Sequence, residues 1–285
     1  MYELEILIFL ASLVYTCVFL FKWYYKLSKV WKPKKIKIIS FFFGFLPLIC
    51  FLIIYYTLKR LASFDVVNDP FYIFFYIFLG YVWIYIGIKL IFYFFDLSWI
   101  DDVLNNGNKA SLVAICGAVI GLTLIYSGAN IGDGPGFWCV IVAGGIGFLI
   151  WVILTRILNK LTKVLETVSI SRDISCGIRL AGFFIASGLI LARASGGDWT
   201  SLEATIIEFK DGWVVLPLLV LYIIIEWLFS IKKEIEPNKS KIGISIFVSL
   251  ILIILAIISV LLLPPFKENP MYNNLSFIRL LGVNI

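Results

Sequence analysis

Among the charged side chains that fall inside otherwise apolar stretches of this chain are Lys89, Arg156, Arg179, Arg193 and Glu226. An unpaired charge at the centre of a membrane helix costs ~2.5–3.5 kcal/mol on insertion scales. Each is therefore expected to pair, to extend to the headgroups, or to line a water-filled path. Arg179 and Arg193 are 14 residues apart, ~21 Å along a helix against a hydrocarbon core of ~30 Å. They reach water only with extended side chains, or else they face a polar interior. Glu226 is the most conspicuous, because a carboxylate is short and extends poorly. A pair with Arg156, Lys89 or Arg179 is one reading of it, and a place on an ion path is the other.

Catalysis has less to work with. Histidine is absent, which removes the commonest metal ligand and the usual general base near neutral pH. Cys17, Cys50, Cys116, Cys139 and Cys176 lie in or beside apolar stretches without Cys-x-x-Cys spacing. They read as small buried hydrophobes, with no metal site, disulfide framework or cofactor indicated. Asp133 and Asp198 each follow a glycine, and the run Gly132 to Gly136 is turn chemistry. In a ring of subunits the same two aspartates would form an acidic outer vestibule that attracts cations. Neither sits in a Gly-x-Gly-Asp motif, so an intramembrane protease is not expected, nor any other enzyme.

The elements that position these residues are membrane helices. At 61% hydrophobic and 15% charged, with mean hydropathy of +1.01, the composition excludes a soluble globular protein. A span needs ~20 mostly apolar residues, and eight segments satisfy this. They are Glu5–Tyr25, Ile38–Leu58, Pro70–Phe94, Ala110–Gly132, Gly134–Leu158, Ile174–Gly197, Gly212–Ile231 and Ile242–Leu263. The first carries acid where a signal peptide needs basic residues, so it is expected to be a retained span. The loop after it is rich in lysine, and placing that loop in the cytoplasm leaves only Lys59, Arg60, Arg193, Lys210, Lys267 and Arg279 outside. The positive-inside rule then puts both termini outside and orders the spans as four out–in–out hairpins. The fold class is an all-α polytopic membrane protein.

The two central hairpins read as an internal repeat with an offset of 65 residues. Asn108 matches Asp173, Gly117 matches Gly182, and Gly132-Asp133 matches Gly197-Asp198. Asn108 and Asp173 stand where a loop becomes a helix, as helix caps do. Gly117 and Gly121, and in the second unit Gly182 and Gly188, let helix backbones approach closely. Gly144, Gly145 and Gly147 are expected to do the same for the fifth span. Domain limits follow as a two-helix hairpin over 1–69, the duplicated four-helix unit over 70–199, and a two-helix hairpin with a tail over 200–285.

The residues Gly107-Asn108-x-Ala110, Gly117-x-x-x-Gly121, Gly182 with Gly188, and the run Gly197 to Thr205 resemble the YjfL-like bacterial inner-membrane family, the domain of unknown function 350. The resemblance covers the central four spans, about Pro70 to Trp199. It implies an integral protein of the bacterial inner membrane and supplies no mechanism. The chain departs by adding two spans on either side and by placing aspartate at 173.

Around the expected cytoplasmic face, Lys32, Lys34, Lys35, Lys160, Lys163, Arg172, Lys232 and Lys233 form a basic surface interleaved with aromatics. Anionic lipid is one fitting partner, and a nucleotide or short oligonucleotide held by charge and stacking is another. The leading expectation is a homo-oligomeric ion channel, a stress or antiviral-defence effector gated by such an anionic ligand. The alternative is a non-conducting envelope-stress scaffold that recruits a peripheral partner through its basic loops. The scaffold requires Arg179, Arg193 and Glu226 all to pair within the protein.

Overall fold

Inside a bilayer a backbone amide finds no water, so an apolar segment must satisfy its own hydrogen bonds. The computed structural model describes residues 3–29, 36–132, 134, 136–197, 202–235 and 242–264, and among these the chain is helical, with one isolated backbone bridge between Ala62 and Gly132. In chain order the helices are α1 (Glu3–Ser28), α2 (Ile36–Arg60), α3 (Phe64–Asn68), α4 (Pro70–Phe95), α5 (Lys109–Gly128) and α6 (Phe137–Thr162). They continue as α7 (Val164–Ser169), α8 (Ile174–Ser195), α9 (Leu202–Lys210), α10 (Val215–Ile235) and α11 (Ile242–Leu261). Eight of these segments are long and apolar enough to span, matching the number expected. The seventh differs in detail: its apolar stretch begins at Ile206, and a 3-10 turn over Asp211–Val214 precedes α10. Pro217 sits in the first turn of α10, where its missing N–H has no intrahelical partner to lose.

Two loops carry structure that periodicity does not show. A π-helical turn, Trp99–Asn105, leads into α5, and α7 leads into α8. Each ends at its cap: Asn108 Oδ1 accepts from the amides of Ala110 and Ser111, and Asp173 Oδ1 from those of Ser175 and Cys176. Asn108 also donates to the carbonyls of Val168 and Ser169, which ties the start of α5 to α7.

α5 and α8 run parallel, with no side chain between them over much of their length. A Cβ built on Gly188 would lie 2.6 Å from Gly121 Cα, and one on Gly177 2.9 Å from Ala110 Cα. Gly117 faces the backbone of Ala181, Gly121 that of Phe184, and Gly128 that of Ala192. At the far end the Gly197 amide donates to the Ile131 carbonyl over 2.9 Å. Positions separated by about the 65-residue offset thus meet at the same height. α2 packs against α5, where Thr123 Oγ1 lies 3.3 Å from Cys50 Sγ, and α11 packs against α8. Gly182 meets Ser249 of α11, so it serves that contact and not the α5 contact. For α6 the expectation needs correction. Gly147 does approach Ser195 and Ile125 closely, but Gly144 makes only ordinary contacts and nothing lies within 4 Å of a Cβ on Gly145.

α2 contains Pro47, which removes the amide that would bond the Phe43 carbonyl. The buried Trp23 indole of α1 donates to that carbonyl over 2.9 Å, so the proline also docks α1. Trp23→Phe removes the donor and leaves a buried carbonyl unmet. Unfolding in detergent is expected to show a loss of about 1–3 kcal/mol. A second test addresses the α5–α8 contact: Gly188→Leu is expected to lower stability by about 1–3 kcal/mol through overpacking, whereas Gly145→Leu leaves it unchanged.

Candidate functional site

The charged residues inside the spans fall into two groups. Arg179 and Glu226 are buried, at 3% and 5% exposure, and face one another from α8 and α10. Arg179 Nε donates to Glu226 Oε1 and Nη2 to Oε2, both over 2.7 Å. This is the planar two-bond pairing that a guanidinium and a carboxylate favour. Nη1 donates to Ser245 Oγ of α11 over 2.9 Å, and the guanidinium lies 3.9 Å from the Phe229 ring centre. Cys176 Sγ sits 3.9 Å from Glu226 Oε2. The Tyr222 ring stacks on Phe183 at 4.8 Å, which places its buried hydroxyl beside the same carboxylate. One cluster therefore joins α8, α10 and α11. Its counterpart in α5 is Ala114, fully buried and apolar.

Arg193 lies near the opposite end of α8, also buried. Its Nη2 is 3.0 Å from Asp211 Oδ2 and donates to the Pro264 carbonyl over 2.9 Å. Glu208 adds negative charge nearby. Arg193 thus holds the turn before α10 and the chain after α11 against the end of α8.

Lys89 and Arg156 are exposed and do not meet Glu226. Lys89 Nζ lies over the Tyr85 ring, 4.3 Å from its centre, and Arg156 Nη1 donates to the Phe94 carbonyl at the end of α4 over 3.0 Å. Lys160, Lys163 and Arg172 are exposed together around α7, at the end of the bundle where α1 and α4 also finish. Lys163 and Arg172 both adopt left-handed backbone, with φ of 53° and 55°. Beside them burial holds the Asp102 carboxyl above the usual range, against the Ser98 amide that favours its charged form and the Arg172 charge. Asp133, Asp198, Lys32, Lys34 and Lys35 lie outside the described residues, as do the side chains of Lys232 and Lys233. At the other end of α5 a cavity of about 40 Å³ is lined by Ser63, Tyr76, Asn130, Gly132 and Gly197 among others. Among the described residues no group of histidine, cysteine, aspartate and glutamate has metal-site geometry.

Sequence reasoning missed Ser245, Phe229 and Asp211 as partners. Ser245 and Ser249 did carry a signal: they are two polar positions, one turn apart, in the most apolar helix. Both face inward, with Ser249 Oγ donating to the Ile178 carbonyl over 2.8 Å.

Removing one partner of a buried ion pair leaves the other charge uncompensated, whereas replacing both by apolar groups of similar volume is often neutral. Arg179→Met and Glu226→Gln are each expected to cost about 3–5 kcal/mol, and Arg179→Met with Glu226→Met to recover most of that. Unfolding midpoints in detergent measure this. A Glu226→Gln variant as stable as the parent contradicts the structural assignment.

No curated protein and no solved structure matches the chain. One family model does, over residues 133–262, and its description is Domain of Unknown Function (DUF350). The range takes in α6, α8, α10 and α11, so the resemblance holds but lies further toward the C-terminus than the central four spans. It shares 133–199 with the stretch on which the resemblance was read, and the copy around Asn108 and Gly117 falls before it. The chain is therefore a membrane-helical protein that matches the Domain of Unknown Function (DUF350) family over its last four spans and carries four further spans ahead of them.

Proposed function

We propose that this protein is a non-conducting, non-catalytic membrane scaffold that presents a basic surface to a peripheral partner with an acidic face. The observation that carries this reading is the closure of the charges: Arg179 with Glu226, and Arg193 with Asp211, inside one chain. A path for ions needs polar groups open to water, and these are consumed by each other. The packing of α5 on α8, backbone against backbone, leaves no lumen between the two glycine-rich helices. On this reading the exposed Lys160, Lys163 and Arg172 form the recruiting surface. The setting is the bacterial inner membrane with the basic end in the cytoplasm.

A homo-oligomeric channel is the second reading, and a specific observation supports it: Lys89 and Arg156 face outward within their spans. Such a channel would conduct between copies and would be gated from the basic end by a nucleotide or short oligonucleotide. Ion flux from liposomes containing the purified protein separates the two. The scaffold predicts flux equal to protein-free vesicles with or without nucleotides and oligonucleotides. It also predicts that Lys160→Glu with Lys163→Glu abolishes proximity labelling of a peripheral protein while membrane insertion is kept. Discrete currents that are lost in Lys89→Gln or Arg156→Gln establish the channel.

A further inference from the structure

We propose that α1 and α4 together form a binding site for the phosphate of an anionic phospholipid, held by Lys22 and Lys89 with Lys26 at its rim. The two helices run parallel and in register. Phe9 of α1 packs on Phe71 of α4 with ring centres 4.8 Å apart, Thr16 Oγ1 donates to the Phe78 carbonyl over 3.1 Å, and Phe19 lies 5.6 Å from Tyr85. Further along, Trp23 stacks on Trp99 at 4.3 Å, and Lys26 Nζ lies over that same Trp99 ring at 5.6 Å. This register puts Lys22 and Lys89 at one height on one seam. Lys89 sits over the Tyr85 ring, and Lys22 lies within electrostatic reach of the Tyr85 hydroxyl. Each lysine is six residues before the end of its helix, ~9 Å inside it.

Both lysines are exposed at that depth, and neither forms an ion pair among the described residues. Two carboxylates that follow α4 are engaged elsewhere: Asp101 accepts from Ser98 Oγ and Asn105 Nδ2, and Asp102 accepts from the Ser98 amide and faces Arg172. Asp96 stands just past the end of α4, where its backbone amide bonds the Phe92 carbonyl. Within one turn of the two lysines, Val18, Phe21 and Ile86 are exposed and apolar. Two unneutralised ammonium groups set among side chains that require acyl chains call for a ligand with both an anion and a tail. A lipid headgroup supplies the anion at this depth, where a soluble ligand does not reach.

The test uses the full-length protein in vesicles with spin-labelled phosphatidylglycerol or spin-labelled phosphatidylcholine, and reads the fraction of each lipid immobilised. The parent is expected to prefer phosphatidylglycerol. The preference should fall about five-fold for Lys22→Gln and again for Lys89→Gln, persist in Lys22→Arg with Lys89→Arg, and be unmoved by Lys160→Gln with Lys163→Gln. Equal immobilisation of both lipids by the parent overturns the proposal without any variant. So does a Lys22→Gln, Lys89→Gln double variant that keeps the preference. A change in subunit number with the preference intact identifies a second copy's acid as the partner and also overturns it.

Discussion

The contact between α5 and α8 is the constraint on which the rest of the bundle depends. Lipid tails are as apolar as leucine, so nothing like the hydrophobic effect drives two helices together in a bilayer. What remains is dispersion, which falls steeply with a gap of half an ångström or more. Glycine at 117, 121, 128, 177 and 188 brings the two backbones into direct contact. Because the axes are so close, α2 and α11 take up the two outer sides of the pair, each against its own central helix. The peripheral helices α1 and α10 then turn long rows of apolar side chains outward, among them Leu7, Phe21, Leu216 and Val220.

The charges complete what glycine begins. A guanidinium buried in a low-dielectric interior is tolerated only when its donors are met. Arg179 meets a carboxylate, a hydroxyl and an aromatic face from two neighbouring helices. This polar joint exists on the α8 side alone, since α5 carries Ala114 and Gly128 where α8 carries Arg179 and Arg193. The two central helices therefore differ in how their neighbours are held. On the α5 side the corresponding work falls to the Trp23 bond to Phe43 and to Tyr126, whose hydroxyl donates to the Tyr76 carbonyl over 2.6 Å.

Much of this architecture is legible in the sequence, because a span is a matter of length and composition, and a cap is set by its local sequence. Asn108 and Asp173 could be read as caps from their position alone. The partner of Glu226 could not. Lys89, Arg156 and Arg179 all sit at suitable depths, and only the rotation of each helix about its axis, set by packing, decides among them. The same rotation explains Gly145, which sits among contact glycines but has nothing within 4 Å of its Cβ. The π-helical turn before α5 escaped for a different reason: Asp101 and Asp102 are tied to Ser98 by hydrogen bonds that no apolar periodicity reports.

Cys176 offers the most direct test of the claim that the in-membrane charges form a closed internal joint, since its thiol is buried against Glu226. A variant keeping Cys176 as its sole cysteine, in membranes opened to reagent on both faces, would be exposed to a charged methanethiosulfonate. The account predicts that Cys176 stays unmodified until the protein is unfolded. Modification at the rate of an exposed thiol would mean that water reaches the Arg179–Glu226 pair, and would contradict it.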